Sequence, residues 1–552
     1  MKDFLTRHAS SKPVSFHMPG HKGGRFYKRF GYDEFLNNFI DWDITEIEGA
    51  DNLFEAMGII HSLQKRYAEI YGVKASKLLI NGTSGGLIAS ILACLSSKGK
   101  IIMARNCHKS VFNAARLANA EVAYVHPEKL ERGDGLGLVG GVSAPEVAKC
   151  IAKNPDASVV VITSPNYYGI CSDIEAIAEV VHEAGMTLIV DQAHGAHLKF
   201  FVEEDFEMPL PAEMQGADIV LCSTHKTLAS MTQTAVLNLC SERIPEIDLE
   251  NTLQMIQSSS PSYVLMASLD INCEILERHG KKLIKEWAEN LKWFYKSAKD
   301  IPGLRVMDVP ALDKTKININ FGIAGKEIND YLVSKGVFPE LYTGNMVMLM
   351  SGIGNERADY EKLLSALREF GEENCHSPER QNPLHLEEIR KSKEEAPKKR
   401  MSSHLEDLGR EGKPGKEMLT HALAFSETKG YNVEGVELRS RDITDDDFFV
   451  NSNCEDASGK AKDDLKKESQ NEYRSVELPD IRASKWYTRN ESIGKICAGA
   501  VVPYPSGIPL ICPGEIITAR AISCLDDMIN KGQKIIELQR SEERRVGKEC
   551  RS

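Results

Sequence analysis

Two hydrophobic rhythms alternate between residues 56 and 240. Ile59, Ile60, Leu63, Tyr67 and Ile70 recur at helical spacing and predict an amphipathic helix over Ala56–Tyr71. Leu78–Ile80 then reads as a strand, Asn81–Gly86 as a small polar loop, and Leu87–Leu95 as an apolar helix. The runs Lys100–Ala104, Val159–Ile162, Thr187–Val190 and Ile219–Leu221 each stop at a polar cluster. Strands apolar at every position, rather than alternating, are those buried on both faces of a parallel sheet with helical crossovers.

Past residue 245 the pattern changes. Helices are predicted over Asn251–Gln257, Ser262–His279 and Lys281–Lys299, and strands over Leu304–Met307 and Ile317–Phe321. From Glu373 to Arg410, and again from Lys460 to Asn471, almost every position is polar. Such stretches bury too little apolar surface to offset the entropy of ordering them, so most of this region is predicted to be disordered. Leu419–Phe425 and Phe448–Val450 are its apolar islands, and a small docking element built on them is the alternative. The expected division is an N-terminal segment 1–55, a large domain 56–245, a connector and small α/β domain 246–371, a polar insert 372–474, and a C-terminal α+β domain 475–540. Residues 541–552 break from everything before them and read as an artefactual tail.

Composition narrows the class. The chain has 552 residues, enough for several units, and 42% of them are hydrophobic, enough for a sizeable core. A formal charge of −12 argues against a general nucleic-acid or anionic-membrane binder. Thirteen scattered cysteines without a C-x-x-C pair suit free thiols in a reducing compartment, not a disulfide frame or a zinc site. Met1–Lys22 carries no apolar signal core and no later run is long enough to span a bilayer. A cytoplasmic protein without membrane or nucleic-acid partners is the expectation.

The chemistry lies where the strands end. In a parallel sheet, ligands sit outside the carboxyl ends of the strands. Loops Asn81–Gly86, Arg105–Ser110, Thr163–Gly169, Asp191–His197 and Ser223–Thr227 should therefore converge on one crevice. They bring a Gly/Ser/Thr turn ahead of a helix, an imidazole, a carboxylate and a lysine. A strand running through such a turn into a helix makes a phosphate cradle at the positive end of the helix dipole. Pyridoxal phosphate (PLP) asks for this set: a Schiff-base lysine (Lys226), an acid for the pyridinium nitrogen (Asp191), a ring-stacking imidazole (His108) and a phosphate site (Thr83, Ser84, Gly85, Ser223). Each residue taken alone has a plainer reading: a lysine in an exposed turn, helix-capping Asp191 and His108, glycines needed for turn geometry. His194 and His197 also admit a metal reading, though Gly195 between them interrupts a helical face, and no metal is expected. The loop Phe16–Gly24, with His17, His21 and Lys22, could bind an anion or line a site; a solvent-exposed basic loop is its plainer reading. Asp41–Phe54 is acidic and turn-rich, with no evident role.

Taken together, Phe16–Gly24, Asn81–Gly86, Arg105–Ser110, Asp191–His197 and Ser223–Lys226 resemble, in order, the motifs of the bacterial ornithine/lysine/arginine decarboxylases, in the short, arginine decarboxylase-like form. The resemblance covers about residues 1–370 and 475–540. It implies an α/β fold of the aspartate-aminotransferase-like PLP type (fold type I), with a mostly parallel central sheet. It also implies decarboxylation of a small basic amino acid, arginine first and lysine next, feeding polyamine synthesis, in a homodimer or higher homo-oligomer. By position it makes Lys226, His225, Asp191 and His108 catalytic, with Thr83, Ser84, Gly85, His194 and Ser223 around the cofactor. It further places Gln257–Tyr263 at the dimer interface and lets Glu515 face the distal cation of the substrate. Gln192 and Ser506 depart from the usual Glu and Pro. The rivals are an aminotransferase or β-eliminating PLP enzyme, which should clamp the α-carboxylate with a small-domain arginine, and a non-catalytic regulator that kept the fold.

Overall fold

The computed structural model describes residues 1–95, 98–128, 130, 139–375, 422–426, 475–478, 484–503, 509–530 and 535–536. Its strands begin, in chain order, with β1 (Val14–Phe16), β2 (Ala75–Leu79), β3 (Lys100–Ala104), β4 (Glu121–Val125), β5 (Val159–Thr163), β6 (Thr187–Asp191), β7 (Ile219–Cys222) and β8 (Ala235–Leu239). Seven of these form the central sheet in the order β4-β3-β5-β6-β7-β8-β2. β4 through β7 are mutually parallel, and β8 runs antiparallel to both β7 and β2. The apolar runs are buried as their pattern requires: Val159–Ile162, Leu188–Val190 and Ile219–Cys222 are wholly inaccessible. The chain reverses direction across the sheet at β3 and β5, whose neighbours lie on opposite sides, the kind of crevice in which open sheets bind ligands.

Local details depart from expectation for identifiable reasons. The expected loop Asn81–Gly86 is mostly helix, because Gly82–Cys94 begins directly after Asn81. Gly86 is small so that this helix can press onto the sheet; a Cβ there would lie 2.5 Å from Leu79 Cδ1 and 2.6 Å from Leu221 Cδ2. The first long helix starts at Ile59, not Ala56, and Ile59 points outward. Its start is fixed by Asp51, which accepts the N–H groups of Met57 (3.1 Å), Gly58 (2.9 Å) and Ile60 (2.9 Å). That gives the acidic turn a role as a long-range cap. The two helices expected on either side of Gly280 are one helix, Tyr263–Ala298. Leu276, Leu283, Ile284 and Trp287 keep one buried stripe running through the glycine, and that burial outweighs a helical glycine's penalty of about 1 kcal/mol.

After residue 304 come β9 (Arg305–Val306), β10 (Lys316–Asn320), β11 (Val337–Pro339), β12 (Leu341–Thr343) and β13 (Met346–Met350), and four of them form a second sheet in the order β12-β13-β10-β9. β1 pairs in parallel with β11, which ties the N-terminal segment to the strands after residue 304. The following loop is wedged against the end of β7. Gly20 N–H donates to His225 O (2.8 Å), Ile353 N–H to Thr227 O (2.9 Å) and Gly354 N–H to Gly20 O (3.0 Å). There is no room for a side chain at Gly20, whose Cβ would sit 2.3 Å from Leu228 O.

β14 (Ala422–Ser426) pairs antiparallel with β16 (Ser484–Thr488), and β15 (Val476–Glu477) adds to the free edge of β4. β17 (Val502–Pro503) pairs with β18 (Ile535–Ile536) beside the helix Ala519–Asn530, over a small core that includes Val501, Ile511, Ile517 and Leu525. Within 372–474 the helix Arg357–Cys375 runs past the expected boundary, and β14 overlaps the apolar island Leu419–Phe425. The rest of that segment, Ser506 and residues 541–552 lie outside the described residues. Among the described residues no helix is long and apolar enough to cross a membrane.

Candidate active site

Lys226 sits on a single helical turn, Thr224–Thr227, that begins where β7 ends. Its Nζ lies 2.9 Å from His194 Nε2. Burial lowers the lysine pKa to about 8; Asp191 and Glu340 pull it upward and Lys316 pushes it down. Burial, reinforced by Lys226 and Lys316, also holds His194 well below its ordinary value. The neutral imidazole therefore accepts from the lysine through Nε2, which leaves the proton on Nδ1. Nδ1 is buried and has no partner among the described residues. The other flank is Tyr167, whose ring centroid is 4.7 Å from that of His194.

Asp191 is the last residue of β6, adjacent to β7 in the sheet. Only 3% exposed, it accepts a hydrogen bond from Ala193 N–H (3.2 Å), and burial raises its pKa although Lys226 opposes this. This is a buried acid short of a cationic partner. His108 caps the helix Lys109–Leu117, taking Ser110 N–H on Nδ1 (3.3 Å) with Ser110 Oγ at 2.8 Å. Burial and then the Lys226 charge drop its pKa to about 3. It thus sits at a helix start, as its plainer reading has it, and the Lys226 charge acts on the same ring.

Thr83 and Ser223 meet across the sheet end, Oγ1 to Oγ 3.2 Å, and both are buried. β2 runs antiparallel to β8 and β8 antiparallel to β7, so β2 and β7 point the same way and their exits coincide. Thr83, Ser84 and Gly85 occupy the first turn of a helix, where backbone N–H groups lack internal acceptors. His225 is turned aside: Nδ1–H donates to Thr234 O (2.7 Å), and burial lowers its pKa to about 4.

Other residues join the site from places no sequence pattern singled out. Glu340, between β11 and β12, accepts Tyr167 O–H (2.8 Å) on Oε1 and Met18 N–H (2.9 Å) on Oε2. Lys316, wholly buried at the start of β10, donates to His194 O (3.0 Å) and pairs with Asp313 Oδ2 (2.9 Å). His197 bridges Thr227 Oγ1 (3.1 Å) and Asp313 Oδ1 (3.0 Å), so it is a structural link. Among the described residues no cluster of metal ligands occurs. Lys22 is turned inward, donating to His17 O (2.5 Å) and Met350 O (3.0 Å), and burial lowers its pKa to about 7. It fits neither an exposed basic loop nor an open anion site.

Glu515 is the expected site residue that the structure does not leave free for substrate. Both its oxygens face Arg105, with Nε–Oε1 at 2.5 Å and Nη2–Oε2 at 2.8 Å, and Oε2 also takes Cys512 N–H (2.8 Å). Arg105 follows β3 and also binds the carbonyls of Pro509 and Leu510, both at 3.1 Å. A forked guanidinium satisfies a carboxylate bidentately; here it comes from the protein itself. Gln192, the unusual neighbour of Asp191, points away from the site to Glu213 (2.8 Å) and Ala212 N–H (2.7 Å). Gln257 is turned inward to Ile80 N–H (3.0 Å) and Leu78 O (3.3 Å).

Comparison with known proteins follows this geometry. Residues 1–305 match the family model described as Orn/Lys/Arg decarboxylase, major domain. The chain is 30% identical over 386 residues to the arginine decarboxylase of Bacillus subtilis, covering 67% of this chain and 76% of that one. It is 29% identical over 383 residues to the arginine decarboxylase of Bacillus anthracis, covering 66% and 75%. Among solved structures, the Francisella novicida lysine decarboxylase superposes with a TM-score of 0.63 at 18% identity, covering 95% of this chain and 77% of that one.

Proposed function

From the premise that this chain belongs to the Orn/Lys/Arg decarboxylase family and is an amino-acid decarboxylase, we propose that it binds pyridoxal 5'-phosphate and acts on arginine, with lysine as the second candidate. The observation that carries the reading is the meeting of Asp191, His108, His194 and Lys226 at the ends of neighbouring strands, beside the Thr83–Ser223 pair. The residues fit the cofactor: among the described residues a buried donor, His194 Nδ1, has no partner, and a buried acid, Asp191, lacks a full counter-charge. Bound there, pyridoxal phosphate supplies an electron sink for the pair released when the carboxylate leaves as CO₂.

Each residue has a task its position allows. Thr83 and Ser223 hydroxyls, with the first-turn N–H groups of Thr83, Ser84 and Gly85, would hold the phosphate at a helix N-terminus. Asp191 would hold the ring nitrogen in its protonated form, and His108 would lie against the ring. Lys226 is a nucleophile only when neutral; a pKa near 8, against an ordinary 10.5, keeps a substantial neutral fraction at physiological pH. Its Nζ can also return a proton to the substrate carbon, with His194 Nε2 holding it in place. We read the working species as a homodimer or larger in the cytoplasm. The exposed Ile40, Ile47, Met57 and Ile59 support self-association, and light scattering would test it. Incubation with PLP and arginine, lysine or ornithine in turn, followed by identification of the amine, tests the activity. Arginine should give agmatine fastest; absence of CO₂ and amine from all three would remove the reading.

A further inference from the structure

Glu340 and Lys316 are opposite charges from different parts of the small domain; Lys316 reaches His194 directly and Glu340 through Tyr167. Glu340 holds Tyr167 by its hydroxyl, and the Tyr167 ring lies against the His194 ring. Lys316 holds the His194 carbonyl. His194 in turn holds Lys226 Nζ. Behind Lys316, Asp313 accepts Lys316 and Thr315 N–H and O–H as well as facing His197, which touches Thr227, the residue after Lys226. Asp313, Thr315, Lys316 and His197 are all fully buried. Burying an ion pair seldom adds net stability over packed apolar side chains. A wholly buried lysine at the seam between two domains therefore calls for another account.

We propose that the small domain acts as a two-sided clamp on His194 and Lys226, with Glu340 and Lys316 as positioning residues that set the geometry and charge of the reactive amine. The inference rests on the reading of Lys226 as that amine. The charged and titratable groups facing Lys226 are Asp191 from β6, His194 and His225 from the strand-end loops, His108 from the end of β3, Glu340 and Lys316. Only Glu340 and Lys316 come from the small domain. Because they carry opposite charges, their removal must act on Lys226 in opposite directions, whereas loss of packing would not.

The test is the pH dependence of Lys226 reductive methylation, read by peptide mapping of the full-length chain dialysed free of carbonyl ligands. The unsubstituted chain should show a midpoint near 8. Lys316→Met removes a like charge and leaves Asp313 less compensated, so the midpoint should rise by about one pH unit, the low end of a neighbouring-charge effect. Glu340→Gln removes an anion and should lower it by a similar amount, and the double variant should return near the parent. Unmoved midpoints, or two shifts of the same sign, would overturn the clamp. Should Lys316→Met fail to fold, the half-buried Glu340→Gln decides alone, because its midpoint must fall. Labelling of Lys226 with an ordinary lysine midpoint in the unsubstituted chain would instead defeat the reading of Lys226 as the reactive amine.

Discussion

The two walls that meet at Lys226 are made in different ways. On the large-domain wall, Asp191 and Lys226 stand at the exits of adjacent parallel strands, β6 and β7, which pair from Ile189↔Ile219 to Asp191↔Leu221. Their placement follows from where each buried apolar run stops. On the facing wall, Gly20, Glu340 and Ile353 come from separate loops and Lys316 from the start of β10. Only packing brings them to residues 194 and 225–228. In the proposed reading, one wall supplies reacting groups and the other holds them still. Variants that act on chemistry should therefore cluster on the first, and variants that act on position on the second.

The sharpest break of that contrast is Lys226→Ala. Amine release should fall by at least about 10³-fold, because one atom both bonds and moves protons, and the visible absorption of the PLP-loaded protein should vanish. Retention of either would shift the reacting group elsewhere. Asp191→Asn comes next. It keeps size and the Ala193 contact but removes the charge, so PLP should still bind while turnover drops by about 10²-fold or more, beyond the 1.5–3 kcal/mol of a charge-assisted hydrogen bond. Near-parental turnover would take Asp191 out of the mechanism. Loading of the cofactor-free chain with pyridoxal phosphate should slow as the medium is acidified below 8, since the free Lys226 amine has its pKa lowered by burial to about 8 and is protonated below it; the growth of the visible absorption at each pH checks this.

How much of this was legible follows the same division. Five central strands (β2, β3, β5, β6 and β7), the parallel packing of β3, β5, β6 and β7, and the polar positions at their exits are legible because burial on both faces leaves a continuous apolar run and the polar stop marks its end; β4 and the antiparallel β8 are not among the predicted strands. The helix starting at Gly82 was missed because glycine and serine are weak helix formers, and here tertiary packing against Leu79 and Leu221 decides. Glu340 and Lys316 were not legible at all: an acid between two short strands and a lysine opening an apolar strand look like ordinary surface residues. His194 was placed near the cofactor, but its contact with Lys226 needed the fold. Glu515 was recognised as a special carboxylate, yet its partner Arg105 lies 410 positions away.

The positioning wall is best probed at Gly20. Gly20→Ala would set a Cβ 2.3 Å from Leu228 O and 2.5 Å from Thr227 C, so the loop must back away from the turn that carries Lys226. No charge or reacting atom changes, and displacement of roughly 1 Å at a reactive group can lower rates by about 10²-fold. Turnover should fall by about 10- to 100-fold with the thermal midpoint only modestly lowered. Unchanged turnover would show that the wall tolerates slack, and the contrast between holding and reacting would lose its physical basis.

The smallest effect on activity is expected from Glu515→Gln, and it tests whether a third region belongs to either wall. Glu515 faces Arg105 with both oxygens, and Arg105 also holds the carbonyls of Pro509 and Leu510, so the pair pins the C-terminal unit to the exit of β3. Tyr124 O–H to Pro513 O (2.9 Å) and the β15–β4 pairing secure the same seam. A glutamine keeps one acceptor and one donor but cannot complete the fork, and its amide N–H₂ would face a guanidinium that only donates. Loss of the charge-assisted bond corresponds to about 1.5–3 kcal/mol, reduced where neighbouring contacts persist. The C-terminal unit should then loosen: trypsin should cut sooner around Arg489 and Lys495, while kcat for arginine changes no more than a few-fold. If KM for arginine instead rises tenfold or more with proteolysis unchanged, Glu515 exchanges Arg105 for the substrate's own guanidinium, and the carboxylate belongs with the reacting wall.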